Sequence, residues 1–145
     1  MIALASDHGA YALKETIKTH LQKAGHQVED FGTHSAESCD YADFAAAAAT
    51  AVAEGRCERG IILCTTGIGA AIAANKVRGI RCALCTNPFM AEMARRHNDA
   101  NLLALGAGIT GDLMSLRIVD SWLHTAFEGG RHQRRIDKIT AIEQL

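Results

Sequence analysis

The sequence has little proline and few aromatic side chains, and it contains no long apolar run. Its 145 residues include one proline, one tryptophan, two tyrosines and four phenylalanines. Hydrophobic residues nevertheless make up 48% of the chain, so the core must be built from aliphatic side chains and alanine. No apolar stretch approaches the ~18 residues that a membrane-spanning helix needs, which argues against a membrane protein.

An excess of charge of one sign is also missing. Lysine and arginine total 15 against 16 acidic residues, and the pI is about 6.6. A broad basic surface for nucleic acid or anionic membrane is therefore not expected, and any bound anion should be small. The start, "MIALASDHGA", lacks the basic region of a secretory signal, and the five cysteines lack the even count and spacing of a disulfide framework. We expect a cytoplasmic protein with free thiols.

Short β-type runs alternate with longer helical ones. The predicted strands are "MIALAS", "HQVEDFG", "GIILC", "GIRCALC" and "ANLLALG". Helices are predicted over residues 11–24, 42–53, 69–76, 88–96 and 112–127, and again in the last part of the polar tail "EGGRHQRRIDKITAIEQL". The alternation predicts a single α/β domain over residues 1–145, a three-layer Rossmann-like sandwich with a five-stranded parallel sheet and a C-terminal helical tail.

In such a sheet, ligands bind beyond the carboxyl ends of the strands. The residues at these ends are Asp7 and His8, Gly32 and Thr33, residues 64–69, Thr86 and Asn87, and residues 106–108. His97 and Asn98 precede the fifth strand, so a single chain should place them at the opposite end of the sheet.

The stretch "LCTTGIGAAIAANK" places Cys64 before a turn with Gly67 and Gly69, at the start of a helix. Free amides at a helix N-terminus bind anions, and they also stabilise a thiolate. Four interpretations compete. A dinucleotide-binding turn would contain a third glycine and would follow the first strand, whereas this turn has two glycines and follows the third strand. A cysteine phosphatase would have an arginine among the six residues after Cys64, and this sequence has none there. A buried structural cysteine remains open, as does a thiolate base that removes a carbon-bound proton while turn amides stabilise an enediolate.

Segments along the whole chain carry a family resemblance: "SDHGAY", "DFGTHSAESCDYADF", "CTTGIGAAIAANK", "GIRCALCTNPFMAEMARRHNDANLLALG" and "EGGRHQRRIDKITAIE". In this order they resemble the type B ribose-5-phosphate isomerases, the family that also contains the galactose-6-phosphate isomerase subunits. The resemblance implies an aldose-ketose isomerase, an intramolecular oxidoreductase of carbohydrate metabolism and the pentose phosphate pathway. It would interconvert ribose 5-phosphate and ribulose 5-phosphate without metal or cofactor.

The resemblance also implies roles for individual residues. Cys64 would move the proton between C1 and C2, Thr66 would lie beside the reacting carbons, and His97 would open the furanose ring. A branch that uses glutamate as the base has it where this chain has Ala70, which leaves Cys64 as the base. Substrate-binding roles fall on Asp7, His8, Tyr41, Thr65, Gly67, Ile68, Gly69, Asn98 and the phosphate-binding Arg131 and Arg135.

The family places its active site at a dimer interface, which would bring His97 to the cysteine of a neighbouring chain. We therefore expect a homodimer or a dimer of dimers, with the arginine-rich tail folding across the site. His132 lies in that tail, and both a surface role and a phosphate contact remain open for it. Cys82 and Cys85 have zinc-ligand spacing, but in a strand they point to opposite faces, so we expect structural cysteines.

Two departures from the family leave the substrate open. Thr65 replaces the usual glycine, and Gly108 stands where the family commonly has an arginine. The alternatives are an isomerase of another aldose or of a hexose 6-phosphate of the allose or galactose type, or a sugar without phosphate. From a different class, a non-catalytic sugar-phosphate-binding module would keep the glycine turn without needing the thiol.

Overall fold

A computed structural model describes all residues, 1–145, and contains one parallel sheet. Its strands are β1 (Ile2–Ser6), β2 (Val28–Asp30), β3 (Arg59–Cys64), β4 (Cys82–Leu84) and β5 (Leu102–Gly106). They lie in the order β2-β1-β3-β5-β4, and every neighbouring pair is parallel. The predicted five-stranded parallel sheet is confirmed.

Helices cover both faces of the sheet. They are α1 (Tyr11–Lys23), α2 (Tyr41–Ala53), α3 (Ile68–Asn75), α4 (Pro88–Asn98), α5 (Asp112–His124) and α6 (Arg131–Ile142), with a short 3-10 turn at His8–Ala10. One buried cluster joins the sheet to α1, α4 and α5 around Trp122, and the other joins it to the alanine faces of α2 and α3. The three-layer α/β sandwich is therefore confirmed. No helix has both the length and the apolar character that crossing a bilayer requires.

The helix boundaries lie within two residues of the prediction except at the end of α5, and no start was predicted for α6. Helix α5 ends at His124 rather than at residue 127, because Thr125 adopts an extended backbone. The Thr125 hydroxyl donates to the Ser121 carbonyl at 2.6 Å. Helix α6 begins at Arg131, so both predicted phosphate-binding arginines lie on a helix, one turn apart. This helix packs against α4.

The topology fixes where a crevice opens. The chain leaves β1 towards β2 through α1 on one face, and returns to β3 on the other side of β1 through α2 on the opposite face. The connections therefore diverge at the carboxyl ends of β1 and β3. This switch point is where open α/β sheets bind their ligands.

Candidate active site

Cys64 ends β3 at the switch point and is held by the turn that follows it. The amide of Gly67 donates a hydrogen bond to Cys64 Sγ at 3.1 Å. Gly67 has a φ of +79°, and a Cβ there would lie 2.9 Å from the backbone carbon of Leu105. Only glycine tolerates both this positive φ and the close approach to Leu105. Gly67 therefore allows the tight turn that brings its amide to the sulfur.

The same turn begins α3 and leaves amides free. Ile68 donates its amide to Thr66 Oγ1 at 3.2 Å, so two of the turn amides expected to bind an anion are engaged within the turn. The amides of Gly69 and Ala70 lie in the first turn of α3, where no intrahelical acceptor exists. Of these two residues, Gly69 lines the cavity over Cys64, so its amide is available to an oxygen that gains negative charge.

A cavity of about 440 Å³ opens over Cys64. Tyr41 packs its ring directly against Gly69, where a side chain would collide with it. The lining residues are Asp7, Tyr41, Cys64, Thr65, Thr66, Ile68, Gly69 and Ile72. All except Ile72 were predicted as site residues, and Ile72 follows Ile68 by one helical turn. No lysine or arginine is among them, so a phosphate bound here would find no cation in the cavity wall.

Asp7 and His8 lie beside this cavity. Asp7 Oδ1 accepts from the amide of Gly9 at 3.0 Å, so the carboxylate caps the short turn while it also lines the cavity. The amide of Cys39 donates to His8 Nδ1 at 3.1 Å. The imidazole proton of neutral His8 is therefore on Nε2.

Thr65 and Gly108, the two departures from the family, contact each other. Gly108 donates its amide to the Thr65 carbonyl at 2.8 Å. A Cβ at position 108 would lie 3.0 Å from Thr65 Cγ2, and one at Gly9 would collide with Thr65 Oγ1. The threonine side chain thus occupies a space that exists because residues 9 and 108 are glycines.

A second group of predicted residues lies elsewhere. Helix α4 starts beyond the carboxyl end of β4 and returns, so His97 and Asn98 lie towards the amino end of β5, as expected. Asn98 borders other surface pockets, and its carbonyl accepts from Arg81 Nε at 2.8 Å. Arg131 and Arg135 are exposed on α6. One chain therefore does not bring His97, Asn98 or the two arginines into the Cys64 cavity.

His97 contacts His132, whose role the sequence left open, and Glu128, which was not predicted as a site residue. Its ring stacks on that of His132, with centroids 4.3 Å apart and planes 10° from parallel. Glu128 approaches both rings: Oε1 lies 3.7 Å from His97 Nε2, and Oε2 lies 3.9 Å from His132 Nε2. The spacing of Glu128 and His132, four residues apart, was the available signal for this pair.

Comparison with known proteins places the chain in a family. Residues 2–139 match the sequence profile of a family described as Ribose/Galactose Isomerase. Ribose-5-phosphate isomerase B of Escherichia coli (strain K12) is 48% identical over 143 residues, which cover 99% of this chain and 96% of that protein.

Solved structures agree with this assignment. The structure of Clostridium thermocellum ribose-5-phosphate isomerase B is 55% identical, with a TM-score of 0.98 over 99% of this chain and 97% of the other. Ribose-5-phosphate isomerase B of Mycoplasma genitalium, crystallised with bound ribulose-5-phosphate, is 42% identical, with a TM-score of 0.95 over 99% and 95% of the two chains.

Proposed function

We propose that this chain, which belongs to the ribose/galactose isomerase family, interconverts ribose 5-phosphate and ribulose 5-phosphate with Cys64 as the base. The observation that carries the proposal is the sulfur at the floor of a switch-point cavity, hydrogen-bonded to the Gly67 amide. A neutral amide donor stabilises the thiolate, and the same turn supplies further donors to the substrate.

The reaction moves one proton between neighbouring carbons. The Cys64 thiolate removes the proton from C2 of the open-chain aldose, and the electron pair of that bond forms the enediolate, with negative charge on O1. The free amide of Gly69 stabilises this charge. The Cys64 thiol then returns the proton to C1, and the proton of the C2 hydroxyl passes to O1, which completes the ketose.

The remaining predicted residues have supporting roles. Asp7 and Tyr41, which line the cavity, bind sugar hydroxyls, and His8 binds at its rim. Thr66 lies beside the reacting carbons, Thr65 contacts the substrate, and Ile68 forms part of the wall. His97 opens the furanose ring, with Asn98 beside it, and Arg131 and Arg135 grip the phosphate as guanidinium forks.

We further propose that two copies of the chain share each active site. The Cys64 cavity lacks a cation for phosphate, whereas His97 and the arginines are grouped away from their own cysteine. Ile68 and Ile72 expose 53% and 58% of their surface on α3, next to the cavity, so an apolar face is available for a partner to cover. A second copy that brings its His97 group to this face would complete the site.

A hexose 6-phosphate is the second candidate substrate. The family description names both ribose and galactose isomerases, so membership of the family does not distinguish between a pentose and a hexose substrate. The Thr65 side chain borders the cavity and reduces its width, which favours the shorter pentose phosphate.

Substitution of the proposed base tests the function. We expect Cys64→Ala to lower kcat for ribose 5-phosphate by about 100-fold to 10,000-fold, because general-base catalysis supplies that factor. The variant should still bind ribulose 5-phosphate in isothermal titration calorimetry. It should also lose the exchange of the substrate C2 proton with deuterated solvent.

Cys85→Ala is the matched control. Cys85 is buried, lies outside the cavity, and burial raises the pKa of its thiol to about 11, so it has no part in proton transfer. This variant should keep its turnover. Near-normal isomerisation by Cys64→Ala would contradict the role of Cys64 as the base. Absence of isomerisation in the unsubstituted protein would contradict the proposed activity itself.

A further inference from the structure

Three metal-ligating side chains meet at one point of the surface. His97 comes from the last turn of α4, Glu128 from the loop before α6, and His132 from the first turn of α6. We call these three residues the two-histidine cluster. Their potential ligand atoms all lie within 4.8 Å of one another.

The ligand atoms of the cluster lie slightly farther apart than those around a bound ion. Each Glu128 oxygen lies 3.7 Å or 3.9 Å from an imidazole nitrogen, which is too long for a hydrogen bond. A zinc ion binds nitrogen and oxygen ligands at about 2.0–2.2 Å, so its ligand atoms lie roughly 3.3–3.5 Å apart. The planes of the two imidazoles are 10° from parallel, so their in-plane nitrogen lone pairs do not meet at one point as the rings lie. His97, whose side chain is 41% exposed, must turn out of this stack when the ion binds.

The side-chain types of the cluster suit a transition-metal cation. Neutral imidazole is the form that binds metals, and the Glu128 carboxylate supplies negative charge. Two imidazoles with one carboxylate form a ligand set typical of Zn²⁺ and neighbouring transition ions, whereas Mg²⁺ prefers oxygen ligands.

We propose that the two-histidine cluster binds a divalent transition-metal ion, and that the bound ion inhibits the isomerase by occupying His97. The ion is an inhibitor and not a cofactor of the reaction. Metal binding follows from the cluster alone, whereas inhibition rests on the proposed function of His97. Three protein ligands leave a coordination position open, where an oxygen of the sugar phosphate or water completes the sphere.

Titration with Co²⁺ tests the binding directly, because its visible absorption reports on the ligands. We expect one ion per chain, with visible bands that Zn²⁺ removes by competition and Mg²⁺ does not. Glu128→Gln and His132→Gln should each lower the Co²⁺ affinity by at least about tenfold. His124→Gln, which changes an exposed histidine outside the cluster, should leave the affinity unchanged.

Cys64→Ala separates this site from the thiolate. The visible bands should persist in that variant. The spectrum of the unsubstituted protein should contain no sulfur-to-metal charge-transfer band. Absence of Co²⁺ binding, binding that depends on Cys64, or binding that survives both cluster substitutions would overturn the metal site.

The inhibition is measured separately on the intact protein. The Zn²⁺ concentration that halves isomerase activity should follow the binding affinity and rise at least about tenfold in Glu128→Gln. Stoichiometric binding without loss of activity would overturn the inhibitory role. If the protein isomerises no sugar at all, the proposed function fails while the spectroscopic result still decides the metal site.

Discussion

Thr65 lies between two glycines, and its side chain borders the Cys64 cavity. Its hydroxyl faces Gly9, and its methyl group faces Gly108, where an added Cβ would lie 3.0 Å from the methyl carbon. The threonine keeps this position because neither neighbour carries a side chain. A larger residue at either neighbouring position would push it towards the sugar.

We expect Gly108→Ala to raise KM for ribose 5-phosphate by about tenfold with little change in kcat, which corresponds to about 1.4 kcal/mol of overpacking. Steady-state kinetics measure this rise in KM. Thr65→Ser in the Gly108→Ala background removes the methyl group that the new Cβ meets, so KM should fall part of the way back to its original value.

Gly111→Ala is the control, because a Cβ at that position in the following loop meets nothing within 4 Å. It should leave both kinetic constants unchanged. If Gly108→Ala raises KM by the same factor whether residue 65 is threonine or serine, the two positions are not coupled and the prediction is wrong.

At the scale of elements, helix α1 is tied to β2 by a buried ion pair. Lys14 is fully buried, and its ammonium group contacts the carboxylate of Asp30, which is 9% exposed. Lys18 also donates to Asp30, and the Asp30 carboxylate accepts from the amide of Gly32 at 2.8 Å. Burial alone would raise the pKa of Asp30, but these hydrogen bonds outweigh it and lower the pKa below its ordinary value of 3.8.

We expect Asp30→Asn to lower the free energy of unfolding at neutral pH by about 3 kcal/mol, because it leaves the buried Lys14 ammonium with only the exposed carboxylate of Glu15 as its partner. A carboxyl group with a lowered native pKa stabilises the fold fully above its unfolded pKa. That contribution is lost as the pH falls through the native value. Urea unfolding at several pH values should therefore show the difference between the proteins shrinking in acid.

Asp120→Asn provides the control for this ion pair. Asp120 is 44% exposed and contacts His20 on the surface, so its loss should cost at most about 1 kcal/mol. A pH-independent difference for Asp30→Asn would contradict the linkage.

The elements themselves were largely predictable, and the failures have physical causes. The fully apolar strands and the alanine face of α2 predict burial on both sides of the sheet, and Pro88 correctly marks the start of α4. The end of α5 was missed because Thr125 already has an extended backbone, four residues before the first glycine of that loop. No glycine or proline marks this position in the sequence.

The site was predictable where it depends on one turn. Cys64 and Gly67 are close in sequence, so their spacing alone indicated the thiol and its amide donor. The contact of Thr65 with Gly9 and Gly108 joins three separate loops, and the stacking of His97 on His132 depends on how α6 packs against α4. Neither arrangement follows from local pattern.

At the scale of the whole molecule, the sheet separates two groups that the proposed reaction needs. The thiol and its amides lie at the carboxyl ends of β1 and β3, whereas His97 lies at the other end, beside α6. A monomer should therefore bind a sugar weakly and turn it over poorly. Two chains related by a two-fold axis would form two complete sites.

Mixing two inactive variants tests the shared site most directly. Cys64→Ala and His97→Ala are each expected to be nearly inactive as pure proteins. After unfolding and refolding together in equal amounts, half of the dimers should be mixed, and each mixed dimer should have one intact site. The account predicts recovery of about a quarter of the unsubstituted activity. A mixture that stays as inactive as its components would contradict it, because a site built within one chain is never repaired by mixing.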